Sequence, residues 1–163
     1  MTTSNPRALA ACAALATLGL LASASPLRAD TVSCTMVELS MTKGKDPVMP
    51  DEVKHFAKKL GKPPFSSWNV NKVLSSGPFT LTTPKSASKS LTLAQGSSTV
   101  VLHDVDTDPG KKARITLGIK MTGANGKQVV DTKVTADAGD YLDYGELTPP
   151  SNDGHFVFLS CSP

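Results

Sequence analysis

The chain has 163 residues, 17 basic and 14 acidic side chains, a formal net charge of +3 and three cysteines. That length suits one domain. A charge so nearly balanced gives no ground for a nucleic-acid partner or for an acidic membrane surface.

The first segment reads as a leader. Arg7 supplies a positive start, and Ala8 to Ala22 is an apolar run rich in Ala and Leu. Ala22-Ser23-Ala24 then offers a small-x-small cleavage site, and Ala29 a second, later one. The pattern predicts a secretory signal peptide over 1–24 and a single β-rich domain over 30–163. The run is too short to span a bilayer, and no stop-transfer segment follows it, so no integral membrane segment is expected after cleavage. Leu9-Ala10-Ala11-Cys12 matches the motif before a lipidated cysteine, but the apolar run follows Cys12 instead of preceding it. Cleavage there would leave that run on the product. The expected location is secreted or periplasmic.

In chain order, Val32 to Met41 reads as a strand, apolar on both faces in places. Lys43 to Pro50 is a loop punctuated by Gly44, Pro47 and Pro50. One short amphipathic helix is predicted over residues 51–60. Val53, Phe56, Ala57 and Leu60 fall at helical spacing, Gly61 follows as a stop, and Pro63-Pro64 forbid continuation. Lys54, Lys58 and Lys59, with Lys62 just beyond, form a basic face. It would suit an anionic partner, or simply solvent, since no aromatic interleaves it.

From there the signals are β and turn. Phe65 to Leu74 begins as loop and ends as strand, with Trp68, the only tryptophan, expected in the core. Phe79 to Thr82 and Leu91 to Leu93 read as short strands, and Gly96-Ser97-Ser98 as a turn into Thr99 to Val105. Arg114 to Met121 alternates, with Ile115, Leu117, Ile119 and Met121 on one face. Asn125-Gly126 predicts a hairpin with a type I′ turn into Val129 to Thr135. Tyr141 to Leu147 is a further strand. The closing strand carries Phe156, Val157, Phe158 and Leu159 and ends in Cys161. Seven or eight short strands predict a mainly β fold, an antiparallel β-sandwich or small barrel.

Signal cleavage removes Cys12 and leaves Cys34 and Cys161, an even number in an oxidising compartment. Their pairing is predicted. It would tie the two ends of the domain together by closing a loop of more than roughly 100 residues, with a chain-entropy contribution of about 4–5 kcal/mol. Two separate buried thiols are the alternative.

Pro64-Phe65-Ser66-Ser67-Trp68, the strand–Gly turn–strand pattern of Leu91 to Val101, and the paired strands that follow resemble a group of small secreted bacterial β-sandwich proteins. The resemblance implies a β fold and export. It carries no activity and no functional residue.

Chemistry is sparse. Asp104, Asp106 and Asp108 alternate in one segment and can face one way if it is extended. An oxygen set of that kind suits Ca²⁺, the one cofactor the sequence raises. Counted from Asp104, however, Pro109 and Ile115 stand where an EF-hand loop needs Gly and Glu. Lys111, Lys112 and Arg114 follow and can neutralise the carboxylates without metal. No HxH or HExxH spacing joins His55, His103 and His155, and there is no G-x-S-x-G elbow. Tyr141, Asp143 and Tyr144 lie in an acidic segment. Exposed tyrosines beside carboxylates would form a recognition surface for a cationic peptide or a sugar, and otherwise the segment is an edge strand kept soluble by its charges. The reading that follows is an exported, non-enzymatic binding or protein-interaction domain for a protein or glycan partner. Two alternatives stand beside it: a secreted hydrolase built from loops around His103 and Asp104 to Asp108, and an accessory subunit of a cell-envelope complex.

Overall fold

A computed structural model describes residues 30–84, 87–148 and 150–163. The leader read over 1–24, with Cys12, lies outside the described residues. Eight strands form two antiparallel four-stranded sheets packed face to face. They are β1 (Thr31–Thr42), β2 (Val70–Thr82), β3 (Ser88–Leu93), β4 (Gly96–Asp106), β5 (Arg114–Thr122), β6 (Gln128–Asp137), β7 (Tyr141–Thr148) and β8 (Asp153–Ser162). One sheet runs β2-β1-β8-β7 and the other β3-β4-β5-β6, so the fold is an open sandwich and not a barrel.

Alternation decides what each face buries. Val32, Cys34 and Met36 of β1 join Val157, Leu159 and Cys161 of β8 in the space between the sheets. Ile115, Leu117, Ile119 and Met121 of β5 fill it from the other side, as their spacing predicts. Burial of each such side chain contributes about 1.5–3 kcal/mol. Val37, Leu39 and Met41 point the opposite way and make a second cluster on the outer face of the first sheet, with Phe158 beside them. A cover of Val53, Phe56, Leu60 and Phe65 closes over them. At the other end of that outer face, Ser33 and Thr35 stand exposed.

The cover is less regular than predicted. Asp51–Phe56 is 3-10 helix, and only Ala57–Leu60 is α-helix. A 3-10 turn eclipses residues three apart, which sets Val53 and Phe56 together on the core side, both buried. Ala57, expected on the apolar stripe, is exposed instead.

Three further expectations change in detail. β2 is one strand from Val70 through Pro78 to Thr82 rather than two pieces. Proline is tolerated there because β2 is an edge strand, where the missing N–H costs no ladder bond. Gly96 opens β4 and pairs with Leu93, so the turn is Ala94-Gln95. The Asn125-Gly126 hairpin forms, but Gly126 N–H bonds to Gly123 C=O at 3.0 Å and only Gly126 has positive φ, at 75°. A type I′ turn needs both central residues there. The longer loop lets Asn125 keep an ordinary backbone while its Oδ1 accepts from Lys127 N–H at 2.9 Å.

Cys34 and Cys161 sit directly opposite each other on β1 and β8 and form a disulfide, with a sequence separation of 127. Both sulfurs belong to the core between the sheets.

Candidate functional site

Two places on this frame gather groups that local sequence does not account for. The first is a groove of about 300 Å³ beside the cover. One wall is Pro47, Val48 and Met49. The other is Ala57, Leu60 and Gly61, and Trp68, Asn69 and Asn71 run along the base. The wall forms because Val48 adds a single parallel bridge to the free edge of β2 at Val70. Val48 N–H donates to Asn69 C=O at 2.9 Å and Asn71 N–H donates to Val48 C=O at 3.0 Å. The turn before it is pinned by the Asn69 amide, whose Oδ1 accepts from Gly44 N–H and whose Nδ2 donates to Gly44 C=O, both at 2.8 Å.

Among the described residues three large hydrophobic side chains are exposed, and Val48 (46%) and Met49 (41%) are two of them. Both stand on this groove. Trp68 is half-buried against Phe156, and its Nε1–H donates to Asn152 C=O at 3.0 Å. It is therefore shared between the second cluster and the groove instead of lying in the main core. Asn71 is buried, donates Nδ2–H to Val48 C=O at 3.2 Å, and leaves its Oδ1 with no partner. An unsatisfied buried acceptor costs about 1–3 kcal/mol, and this one is closed off from solvent beside a groove whose walls are largely apolar.

The second place is a polar clamp at the end of the inter-sheet space remote from the disulfide. Glu38 of β1 is fully buried. Its Oε2 accepts from the Ser75 hydroxyl of β2 at 2.5 Å and from Ala94 N–H at 2.9 Å. Its Oε1 accepts from Gln95 N–H at 3.2 Å and meets His155 Nε2 of β8 at 2.8 Å. Burial raises the carboxyl's pKa, but the bonds from Ala94, Ser75, His155 and Gln95 together outweigh it and hold the group below its ordinary value. Four partners saturate the carboxylate and tie the β3–β4 turn of one sheet to three strands of the other. His155 is itself buried, with Nδ1 unpartnered and 4.0 Å from Glu146 Oε1.

The clamp resembles a Ser–His–acid set in composition but not in connectivity. Ser75 donates to the carboxylate and the imidazole meets the other carboxylate oxygen, so the ring does not hold the hydroxyl a base would activate. With His155 shut away from solvent, what this arrangement does is hold the sheets in register.

The residues singled out from sequence are dispersed. Tyr144 does not face solvent: it is buried between the sheets and its hydroxyl shares a 2.9 Å hydrogen bond with Ser98 Oγ. Burial pushes the Tyr144 phenol up to about 12, partly countered by that bond. Tyr141 packs edge-on against Phe56 at 4.3 Å, and Asp143 pairs with Lys59, whose Nζ also donates to Tyr141 C=O at 2.8 Å. Tyr144 is thus withdrawn from the surface expected of Tyr141, Asp143 and Tyr144, and the half-buried Tyr141 and exposed Asp143 remain on β7, an edge strand.

Asp104 and Asp106 lie on β4 and Asp108 beyond it, paired with Lys111 at 2.9 Å. Among the described residues no three acidic, histidine or cysteine side chains gather closely enough to hold a metal ion. The three carboxylates expected for calcium are therefore not brought together. His103 lies on the outer face of the second sheet, its ring across Gly118, where a β-carbon would come within 2.7 Å of Nε2. Among the described residues no serine hydroxyl bonds to it. The basic face is partly neutralised, with Lys54 on Asp51 at 2.6 Å and Lys59 on Asp143. The described residues include no helix long and apolar enough to cross a membrane.

Glu38 and the groove were both missed by the sequence reading. A signal for Glu38 existed: it is the lone charge in Val32 to Met41, a run read as apolar on both faces. A carboxylate there has to be paired if it is buried. The groove had no such signal, because its walls come from three separate segments. Compared with protein-family models, curated proteins and solved structures, the chain matches none.

Proposed function

We propose that the chain is an exported, non-enzymatic binding domain whose ligand seat is the groove between Val48-Met49 and the Ala57–Leu60 turn. One observation carries this reading: two of the three exposed large hydrophobic side chains among the described residues line one concave surface. Scattered surface hydrophobics need no explanation, but a concave apolar patch is the usual form of a binding site. The Cys34–Cys161 disulfide supports export, since such bonds persist in oxidising compartments.

The test uses Trp68, the only tryptophan, as a built-in reporter on the groove. A neutral solvatochromic dye such as Nile red should bind and quench Trp68 emission by energy transfer. Met49→Glu should abolish that transfer with little change in melting temperature, because Met49 is exposed. Transfer unaltered in Met49→Glu would remove the groove as the seat.

A further inference from the structure

The groove is apolar inside, and the segments that build it carry an excess of exposed lysine. Lys43, Lys45, Lys58, Lys62 and Lys72 are exposed, and none of them forms an ion pair among the described residues. Each lies one or two positions from a residue that lines or anchors the groove. Lys43 neighbours Gly44, which the Asn69 amide holds, Lys58 follows Ala57, Lys62 follows Gly61, and Lys72 follows Asn71. Lys43, Lys45, Lys58 and Lys62 therefore stand in the segments that build the groove's two walls, while Lys72 alternates with Asn71 along β2 and lies on the opposite face of the sheet. Across residues 43–72, the acidic side chains not already paired with a lysine are Asp46 and Glu52, against those five lysines.

One feature favours a peptide over a lipid surface. Val48 spends both backbone groups on β2, so ladder alternation turns Met49 N–H and Pro47 C=O outward, where another extended backbone can pair.

Resting on the groove being the ligand seat, we propose that its occupant is an extended acidic segment of a partner protein. An apolar side chain of that segment enters between Met49 and Leu60, its backbone pairs with Met49 N–H and Pro47 C=O, and flanking carboxylates meet the lysines.

The experiment uses the disulfide-intact chain, a synthetic peptide alternating Glu with Leu and Phe, the same peptide with Lys for Glu, and phosphatidylglycerol vesicles. The acidic peptide should shift Trp68 emission, and its affinity should fall about tenfold from low salt to about 0.15 M. Lys58→Glu with Lys62→Glu should weaken it by roughly another tenfold at unchanged melting temperature. Equal binding of the lysine peptide would overturn the acidic class. Vesicle binding that the acidic peptide does not displace would overturn the peptide in favour of a membrane. A dye that still enters the groove while the acidic peptide does not bind would overturn this inference alone. Failure of both would take the groove reading with it.

Discussion

At one end of the space between the sheets, Cys34 and Cys161 join β1 to β8 by a covalent bond; at the other, Glu38 and His155 join the same two strands without one. The disulfide links strands that are already neighbours within one sheet. It acts mainly by restricting the unfolded chain. The clamp also takes in Ser75 of β2 and the β3–β4 turn, so it crosses from one sheet to the other. It acts on the folded state, by fixing how the sheets sit where β1 runs on toward the groove. The comparison separates two jobs that a list of stabilising contacts would merge: keeping the chain compact, and keeping the layers aligned.

Removing either end should have a large effect, of comparable size for the two. Cys34→Ser with Cys161→Ser should lower stability by about 2–5 kcal/mol in urea denaturation. Amide protection at Ala94 and Gln95, relative to the rest of the core, should stay as it was. Glu38→Ala should cost about 3–5 kcal/mol, because it strands a buried histidine and two buried-side N–H groups. Here hydrogen exchange should speed up first at Ala94 and Gln95, ahead of the Ile115–Met121 amides. If exchange quickens uniformly, the clamp is not a local inter-sheet fastener.

Acid sharpens the same contrast. The Glu38 carboxyl is held below its ordinary 4.5 in the folded chain, so protons bind the unfolded chain more readily. The stability it contributes is complete above that ordinary value and is lost as pH falls through the lowered folded one. Unfolding midpoints should therefore decline on the acid side in the parent, and Glu38→Gln should flatten that decline.

The smallest effect belongs to Tyr144, which pairs with Val157 of β8 at the level of Glu38. Tyr144→Phe should cost about 1 kcal/mol, since Ser98 retains a bond to Lys120 C=O at 3.2 Å. Spectrophotometric titration should lose an ionisation at about 12 in that variant. In the parent, the phenol's share of stability should fade as pH rises from 10.0 toward that value.

The covalent end was legible in the sequence and the polar end was not. Cys34 and Cys161 are the two cysteines outside the segment read as a leader and so define their own partner, and clean alternation from Arg114 to Met121 names its buried face without reference to anything distant. The helix boundaries were legible too, because prolines and glycine bracket Val53 to Leu60, but not its 3-10 winding, which follows from what Val53 and Phe56 pack against. Glu38 and His155 are 117 positions apart, and the N–H groups that complete the clamp come from a turn between two other strands. No local pattern encodes that meeting. Tyr144 misled for the same reason: its neighbours are acidic along the chain, while its partner Ser98 lies on the opposite sheet.

The place of the disulfide near both ends has a mechanical consequence. Residues 35–160 all lie inside the covalent loop closed at Cys34 and Cys161. Tension applied through the two ends of the described chain passes along a few residues, crosses the sulfur bridge and leaves again. Apart from the pairs that Thr31 to Ser33 make with their neighbours, the hydrogen-bonded ladders and the groove carry none of that load, so a molecule tethered at both ends would keep its groove intact under a pull that would unravel the reduced form.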